Sequence, residues 1–153
     1  GMSKKKKIGL VGYGFISGKG HVPAFAKRTD VEVVAVADIC PARRDLAARE
    51  IPGVRTYPDY RTLLEKETDL DILDIATPPY VHAEIAIAGL KKGLHVLCEK
   101  PYSRRPAEVE EAWGLADRHG LVLTEAFMWR HTPLVARFVA ELPLQALPNG
   151  TPA

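Results

Sequence analysis

Apolar residues along this chain fall into short, nearly unbroken runs that alternate with stripes at helical spacing. Ile8, Leu10 and Val11 form the first run, and residues 31–37, 54–57, 70–76, 94–98 and 121–126 form five more. Runs of this length suit strands buried on both faces. Between them, Val22, Phe25 and Ala26 share one helical face. Pro41 opens a helix to Glu50 with Leu46 and Ala47 inward, and Pro52-Gly53 stops it. Asp59 is placed to cap a helix carrying Leu63 and Leu64. A helix from near Pro79 turns Val81, Ile85 and Leu90 inward and ends at Gly93. Pro106 starts another, with Val109, Ala112, Trp113 and Ala116 inward and Gly120 as its stop. A last amphipathic helix is expected over 133–142. Strict strand and helix alternation predicts an α/β domain over 8–142, a doubly wound parallel sheet of six strands. The tail 143–153, rich in Pro, Gly and Asn, reads as loop or disorder.

The 153 residues suit one domain, and 46% hydrophobic with 26% charged residues is ordinary for a soluble globular chain. No apolar run approaches the ~20 residues that span a bilayer, so no membrane partner is expected. Gly1 before Met2 reads as a tag scar and residues 1–7 as a scar plus basic leader, outside the fold. Removing Lys4 to Lys7 from the 21 basic residues leaves 17 against 19 acidic, which argues against nucleic acid. Cys40 and Cys98 are far apart and match no metal or redox spacing, so a reducing, cytoplasmic setting is expected. The five histidines are not clustered, and no metal is predicted.

The stretch Ile8-Gly-Leu-Val-Gly-Tyr-Gly-Phe-Ile-Ser-Gly-Lys-Gly-His21 carries the candidate chemistry. Gly12 permits a tight turn after the first strand. Gly14 lets the backbone approach a pyrophosphate at the start of the following helix. Ser17 stands where a third glycine usually lets helix and strand pack closely, and Gly18 and Gly20 are placed to absorb the difference. A nucleoside-triphosphate loop is excluded by register, since Tyr13 and Gly20 sit where it needs Gly and Ser/Thr. By itself, the turn also fits a strand-to-helix connection without a ligand.

Asp38 ends the second strand, where a carboxylate accepts hydrogen bonds from an adenosine ribose. That favours NAD over NADP, while Arg43 and Arg44 a few residues on leave NADP open. The other reading of Asp38 is a helix cap. Thr77-Pro78-Pro79 takes the chain out of the sheet, because paired prolines cannot continue a ladder or a helix. His82 follows on the first helical turn and Glu99-Lys100-Pro101 closes the fifth strand. Both lie at the carboxyl edge where open α/β sheets bind ligands. Lys100 there can donate a proton or orient a hydroxyl, or be half of a solvated ion pair. Phe127, Met128 and Trp129 are either core or a surface meant to be covered.

In this order, Gly12-Tyr13-Gly14-Phe15-Ile16, Asp38, Thr77-Pro78-Pro79 with His82, and Glu99-Lys100-Pro101 resemble the N-terminal domain of the glucose–fructose oxidoreductase, inositol dehydrogenase and rhizopine-catabolism (Gfo/Idh/MocA) family. The segment from Glu125 to Arg130 is similar to its sugar and dihydrodiol dehydrogenase branch. The resemblance implies a Rossmann-like NAD(P)-binding fold and hydride transfer between a nicotinamide and a hydroxyl-bearing carbon of a sugar or polyol. It implies Gly12, Gly14, Phe15 and Ile16 at the pyrophosphate, and Asp38 with Arg43 at the ribose. Thr77, Pro78, Pro79, His82 and Glu99 would line the nicotinamide half. Lys100 would act as the catalytic group, hydrogen-bonding the reacting hydroxyl or the nicotinamide ribose, and Arg130 would contact cofactor or substrate.

Departures from the family are Ser17, a histidine at 21 that falls one place late, and the absence of the second, substrate domain. Two readings follow: an oxidoreductase domain whose substrate half lies on another chain or is lost, and a non-catalytic dinucleotide sensor. A covered aromatic edge predicts a homo-oligomer.

Overall fold

A computed structural model describes residues 5–14, 17–77, 81–98, 105–124 and 138–142, with backbone alone at Ser17 and Lys19. Six strands form one parallel sheet in the order β3-β2-β1-β4-β5-β6. They are β1 (Lys6–Val11), β2 (Val31–Ala37), β3 (Arg55–Tyr57), β4 (Ile72–Ile75), β5 (His95–Cys98) and β6 (Leu123–Thr124). Helices α1 (Val22–Ala26), α2 (Pro41–Glu50), α3 (Tyr60–Lys66), α4 (His82–Lys91) and α5 (Pro106–His119) make the crossovers. The chain works outward from β1 to β3, then returns to β4 on the other side of β1. Strand order reverses between β1 and β4, which opens a crevice at their carboxyl ends.

Local rules place most boundaries. Asp59 caps α3, its Oδ1 accepting the Thr62 N–H at 2.7 Å and the Thr62 hydroxyl at 2.8 Å, an arrangement worth about 1 kcal/mol. Pro41 and Pro106 open α2 and α5. Gly120 closes α5 in the left-handed region at φ 63°. Every residue of β4 is buried, and its alternating faces feed two layers. Leu73 and Ile75 pack with Ile85, Leu90, Val96, Ala112 and Leu115 beneath α4 and α5. Ile72 packs with Ile8, Phe25 and Leu97 on the opposite face, which Phe138, Val139 and Leu142 help cover.

Several expected details differ. β1 begins at Lys6, so the last two lysines of the expected leader belong to the sheet, paired with Val31 and Glu32. Lys7 N–H also donates to Asp71 Oδ2 at 2.8 Å, and Lys7 Nζ reaches Asp69 at 2.6 Å. The expected helix at Val22 is preceded by a π turn, Ser17–His21. This wider turn changes the helical phase, and α1 buries Ala24 and Phe25 while Ala26 is exposed. Trp113 is 41% exposed rather than inward. The buried stripe of α5 is Ala112, Leu115 and Ala116, and Trp113 lies roughly 100° round the helix from Ala112. Leu46 is likewise exposed, since α2 seats only the small Ala47 against Tyr13 and Leu10. Of the expected last helix only 138–142 is described, with 138–141 helical; the aromatic stretch at 127–129 and the tail lie outside the described residues.

His95 ties β5 to the strand beyond it, because its Nδ1 accepts the Val122 N–H at 3.0 Å. Burial pushes its pKa below the ordinary 6.5, and Lys6 pushes the same way against Asp71. Only the neutral ring accepts this bond. A group with a depressed folded-state pKa stabilises the protein above its unfolded value, and that contribution is lost as pH falls through the folded value. Urea unfolding should therefore show a falling midpoint between pH 7 and pH 5, with a smaller fall in His95→Gln. Identical pH profiles for the two proteins would contradict this role.

Candidate functional site

The carboxyl ends of β1, β2 and β4 converge on one pocket of about 320 Å³, floored by Val11, Gly12, Ala37, Asp38, Ala76 and Thr77. It sits at the reversal of strand order. Ile39, Arg43, Asp59, Tyr60, Val81 and Glu84 form its outer wall.

Gly12 sets the floor. Its amide donates to Ala37 O at 2.8 Å, and its φ is +94°. A Cβ there would lie 2.8 Å from Ala76 O and 3.2 Å from Thr77 Cγ2. Both backbone angle and packing therefore demand glycine. Gly14 differs, since a Cβ would meet no protein atom within 4 Å. Nothing in the described protein requires a glycine at 14; what would require it is an occupant of the pocket lying against the backbone.

Tyr13, between these glycines, is anchored at both ends. Its amide donates to Asp38 Oδ2 at 2.7 Å, and its hydroxyl donates to Glu50 Oε1 at 2.7 Å. Burial first, then Glu50, pushes the phenol pKa well up, so it stays a donor at all ordinary pH.

Asp38 is 7% exposed and holds the turn as well as facing the pocket. Its Oδ1 accepts the Cys40 N–H at 2.8 Å. A carboxylate offers about four lone-pair sites, so each oxygen keeps one for a ligand hydroxyl. The two neighbouring arginines separate in role. Arg44 donates to the Asp38 carbonyl at 2.6 Å, whereas Arg43 lines the pocket.

On the β4 side, the buried Thr77 Oγ1 has no hydrogen-bond partner among the described residues. Such a group is costly unless something pairs it, and its place in the pocket wall fits a polar ligand. His82 is 1% exposed and does not line this pocket; its Nε2 donates to Thr77 O, which fixes the chain where it leaves β4.

Of the expected site residues, Gly12, Gly14, Asp38, Arg43 and Thr77 thus come together around one pocket. Phe15, Ile16, Pro78, Pro79, Glu99, Lys100 and Arg130 lie outside the described residues. The sequence reading missed Ile39, Asp59, Tyr60, Val81 and Glu84 on the outer wall. An apolar residue directly after the strand-end acid, Ile39, was the available signal, and the structure leaves it 85% exposed. No described cluster of His, Cys, Asp and Glu could hold a metal ion, and no described helix is long and apolar enough to cross a membrane.

A family model described as an oxidoreductase family with an NAD-binding Rossmann fold, GFO_IDH_MocA, matches residues 6–127. The chain belongs to the Gfo/Idh/MocA oxidoreductase family. It is 35% identical to levoglucosan dehydrogenase of Pseudarthrobacter phenanthrenivorans, over 84% of this chain and 35% of that protein. The WlbA dehydrogenase of Bordetella pertussis, solved in complex with NADH and UDP-GlcNAcA, superposes with a TM-score of 0.72 at 30% identity, over 80% of this chain and 37% of that one. A 3-ketoreductase of Actinomadura kijaniata, solved with NADP and TDP-benzene, gives 0.72 at 28% identity, over 90% and 43%. This Gfo/Idh/MocA chain therefore spans well under half the length of these relatives, and what it contains is the NAD(P)-binding Rossmann domain.

The two turn glycines should respond differently to alanine. Gly12→Ala should lower stability by roughly 1–3 kcal/mol through strain and the clash with Ala76 O, whereas Gly14→Ala should change it by less than about 0.5 kcal/mol. Denaturant midpoints test this, and equal losses at the two positions would contradict it.

Proposed function

We propose that this domain holds a nicotinamide dinucleotide, NAD in preference to NADP, and presents it for hydride transfer to or from a hydroxyl-bearing carbon of a sugar or related polyol. The observation that carries the reading is the pocket at the strand reversal. It joins a glycine whose bareness no described protein contact requires, a strand-end carboxylate with spare lone pairs, and a threonine hydroxyl awaiting a partner.

Gly12 makes the tight turn that lets Gly14 bring its backbone against the pyrophosphate, and Asp38 accepts from the adenosine ribose. Ile39 offers an apolar face to the adenine. Fully burying such a side chain is worth about 1.5–3 kcal/mol, comparable with a hydrogen bond to the Asp38 carboxylate. A 2′-phosphate would meet that carboxylate, and Arg43 is the one cation on the pocket wall among the described residues positioned to offset it. When bound, the nicotinamide supplies or accepts the hydride. Thr77, held by His82, borders that half, and Pro78, Pro79 and Glu99 are assigned to it by the family resemblance. Lys100 is the group assigned to hydrogen-bond the reacting hydroxyl. By the family resemblance, Phe15 and Ile16 are assigned to the pyrophosphate and Arg130 to contact with substrate or cofactor.

Substrate class follows relatives whose names are those of sugar dehydrogenases and sugar-nucleotide reductases. Turnover requires a closed site, so the substrate is held by polypeptide additional to these residues. The two cysteines, Cys40 and Cys98, lie far apart in sequence in no metal or redox spacing, which fits a cytoplasmic setting. Self-association through the stretch from Phe127 to Trp129 belongs to the same reading; sedimentation showing only monomer at tens of micromolar, a concentration chosen for convenience, would remove it.

Fluorescence titration with NADH and NADPH tests the core of the proposal. NADH should bind about tenfold more tightly, and Asp38→Asn, which keeps acceptor capacity but removes the charge, should narrow that ratio to roughly twofold. No saturable binding of either dinucleotide would overturn the proposal.

A further inference from the structure

Asp74 lies in the middle of β4, in register with Leu10 of β1 and Leu97 of β5, and is 0% exposed. By strand alternation it shares its face with Ile72, so a carboxylate stands in an otherwise apolar layer. Its partner is His21, also 0% exposed, whose Nδ1 donates to Asp74 Oδ2 at 2.6 Å. The edge of that ring meets Phe25 of α1 at a centroid distance of 6.5 Å and an interplanar angle of 80°.

Stability alone does not explain the pair. Taking a carboxylate out of water costs several kcal/mol, and replacing a buried ion pair by apolar side chains of similar volume is often neutral or stabilising. What the pair adds is direction. A short charge-assisted bond allows one seat, where apolar surfaces allow sliding.

The segment so seated is the glycine-rich turn. Its front is pinned by Gly12 N–H to Ala37 O and by Tyr13 N–H to Asp38. Its middle is held by Gly18 N–H donating to Gly14 O at 3.0 Å, with a Gly18 Cβ position 3.6 Å from the Tyr13 ring. Its back is the π turn Ser17–His21, a form that is rare and recurs at functional sites. His21 is the last residue of that turn, so the bond to Asp74 fixes where the turn ends.

Resting on the reading of the pocket given above, we infer that the buried His21–Asp74 pair is the rear anchor of the glycine-rich turn. It sets dinucleotide affinity without touching the pocket. His21 and Asp74 are thus positioning residues, and neither is on the pocket wall.

The double variant His21→Leu with Asp74→Val replaces the pair without leaving a lone buried carboxylate, and two readouts decide. The NADH dissociation constant should rise about tenfold, what one lost charge-assisted hydrogen bond amounts to. Protection of the Gly18 amide against hydrogen exchange should fall at least about tenfold, while the amides of β4 and β5 stay protected. Asp74→Asn, which still accepts from His21, should restore both to within about threefold of the wild type. A folded double variant with affinity and Gly18 protection both within about twofold of wild type would overturn the inference. Should the double variant not fold, Asp74→Val alone is read by the same two criteria. If the wild type binds no NADH, the reading of the pocket fails, and Gly18 exchange still decides whether the pair anchors the turn.

Discussion

Gly12 passes so close to Ala76 that a single added carbon would sit 2.8 Å from its carbonyl oxygen, and the rest of the structure depends on that approach. β1 and β4 are neighbours whose chains run on into different elements, and both exits must fit at one edge. A bare residue with φ of +94° lets β1 turn away over Ala76 while still donating to Ala37 O on the β2 side. The pocket is the space this turn leaves, and the topology makes it once the order β3-β2-β1-β4-β5-β6 is adopted.

Around that turn, polar groups are buried in pairs that hold backbone in place. Asp38 takes the amides of Tyr13 and Cys40, His82 takes the Thr77 carbonyl, and His21 takes Asp74. Each would be costly alone in the interior. Together they fix the exits of β1, β2 and β4 around the pocket that Asp38 and Thr77 line. A rigid frame with spare hydrogen-bonding capacity at its rim is what orientation of a dinucleotide requires.

Much of this was legible in the sequence, because the signals are local. The run ending in Asp38, the proline at Pro41, the cap at Asp59 and the stop at Gly120 each act within a few residues, and each appears where expected. Gly12, Gly14, Asp38 and Thr77 were legible as strand-end residues, and alternation of strands and helices brings strand ends together. What was not legible depends on contacts distant in sequence. The π turn shifted the phase of α1, and nothing in Ser17-Gly-Lys-Gly-His21 announces that hydrogen-bonding pattern. Helical spacing alone puts Trp113 and Leu46 inward, yet the side chains that are buried are Ala112, Leu115 and Ala116 in α5 and Ala47 in α2, a choice made by how each helix meets its neighbours. Asp74 carried a signal that went unread: a charge amid Ile72, Leu73 and Ile75 cannot be buried without a partner, and the partner lies 53 positions away.

The measurement that tests the central claim most directly is amide chemical-shift mapping of the folded chain during titration with NADH. Saturable shifts should concentrate at Gly12, Gly14, Asp38, Ile39 and Thr77, the rim of the pocket at the strand reversal. Shifts absent from these residues, or centred instead on the groove between α3 and α4 at Arg61, Lys91 and Lys92, would contradict the placement of the dinucleotide.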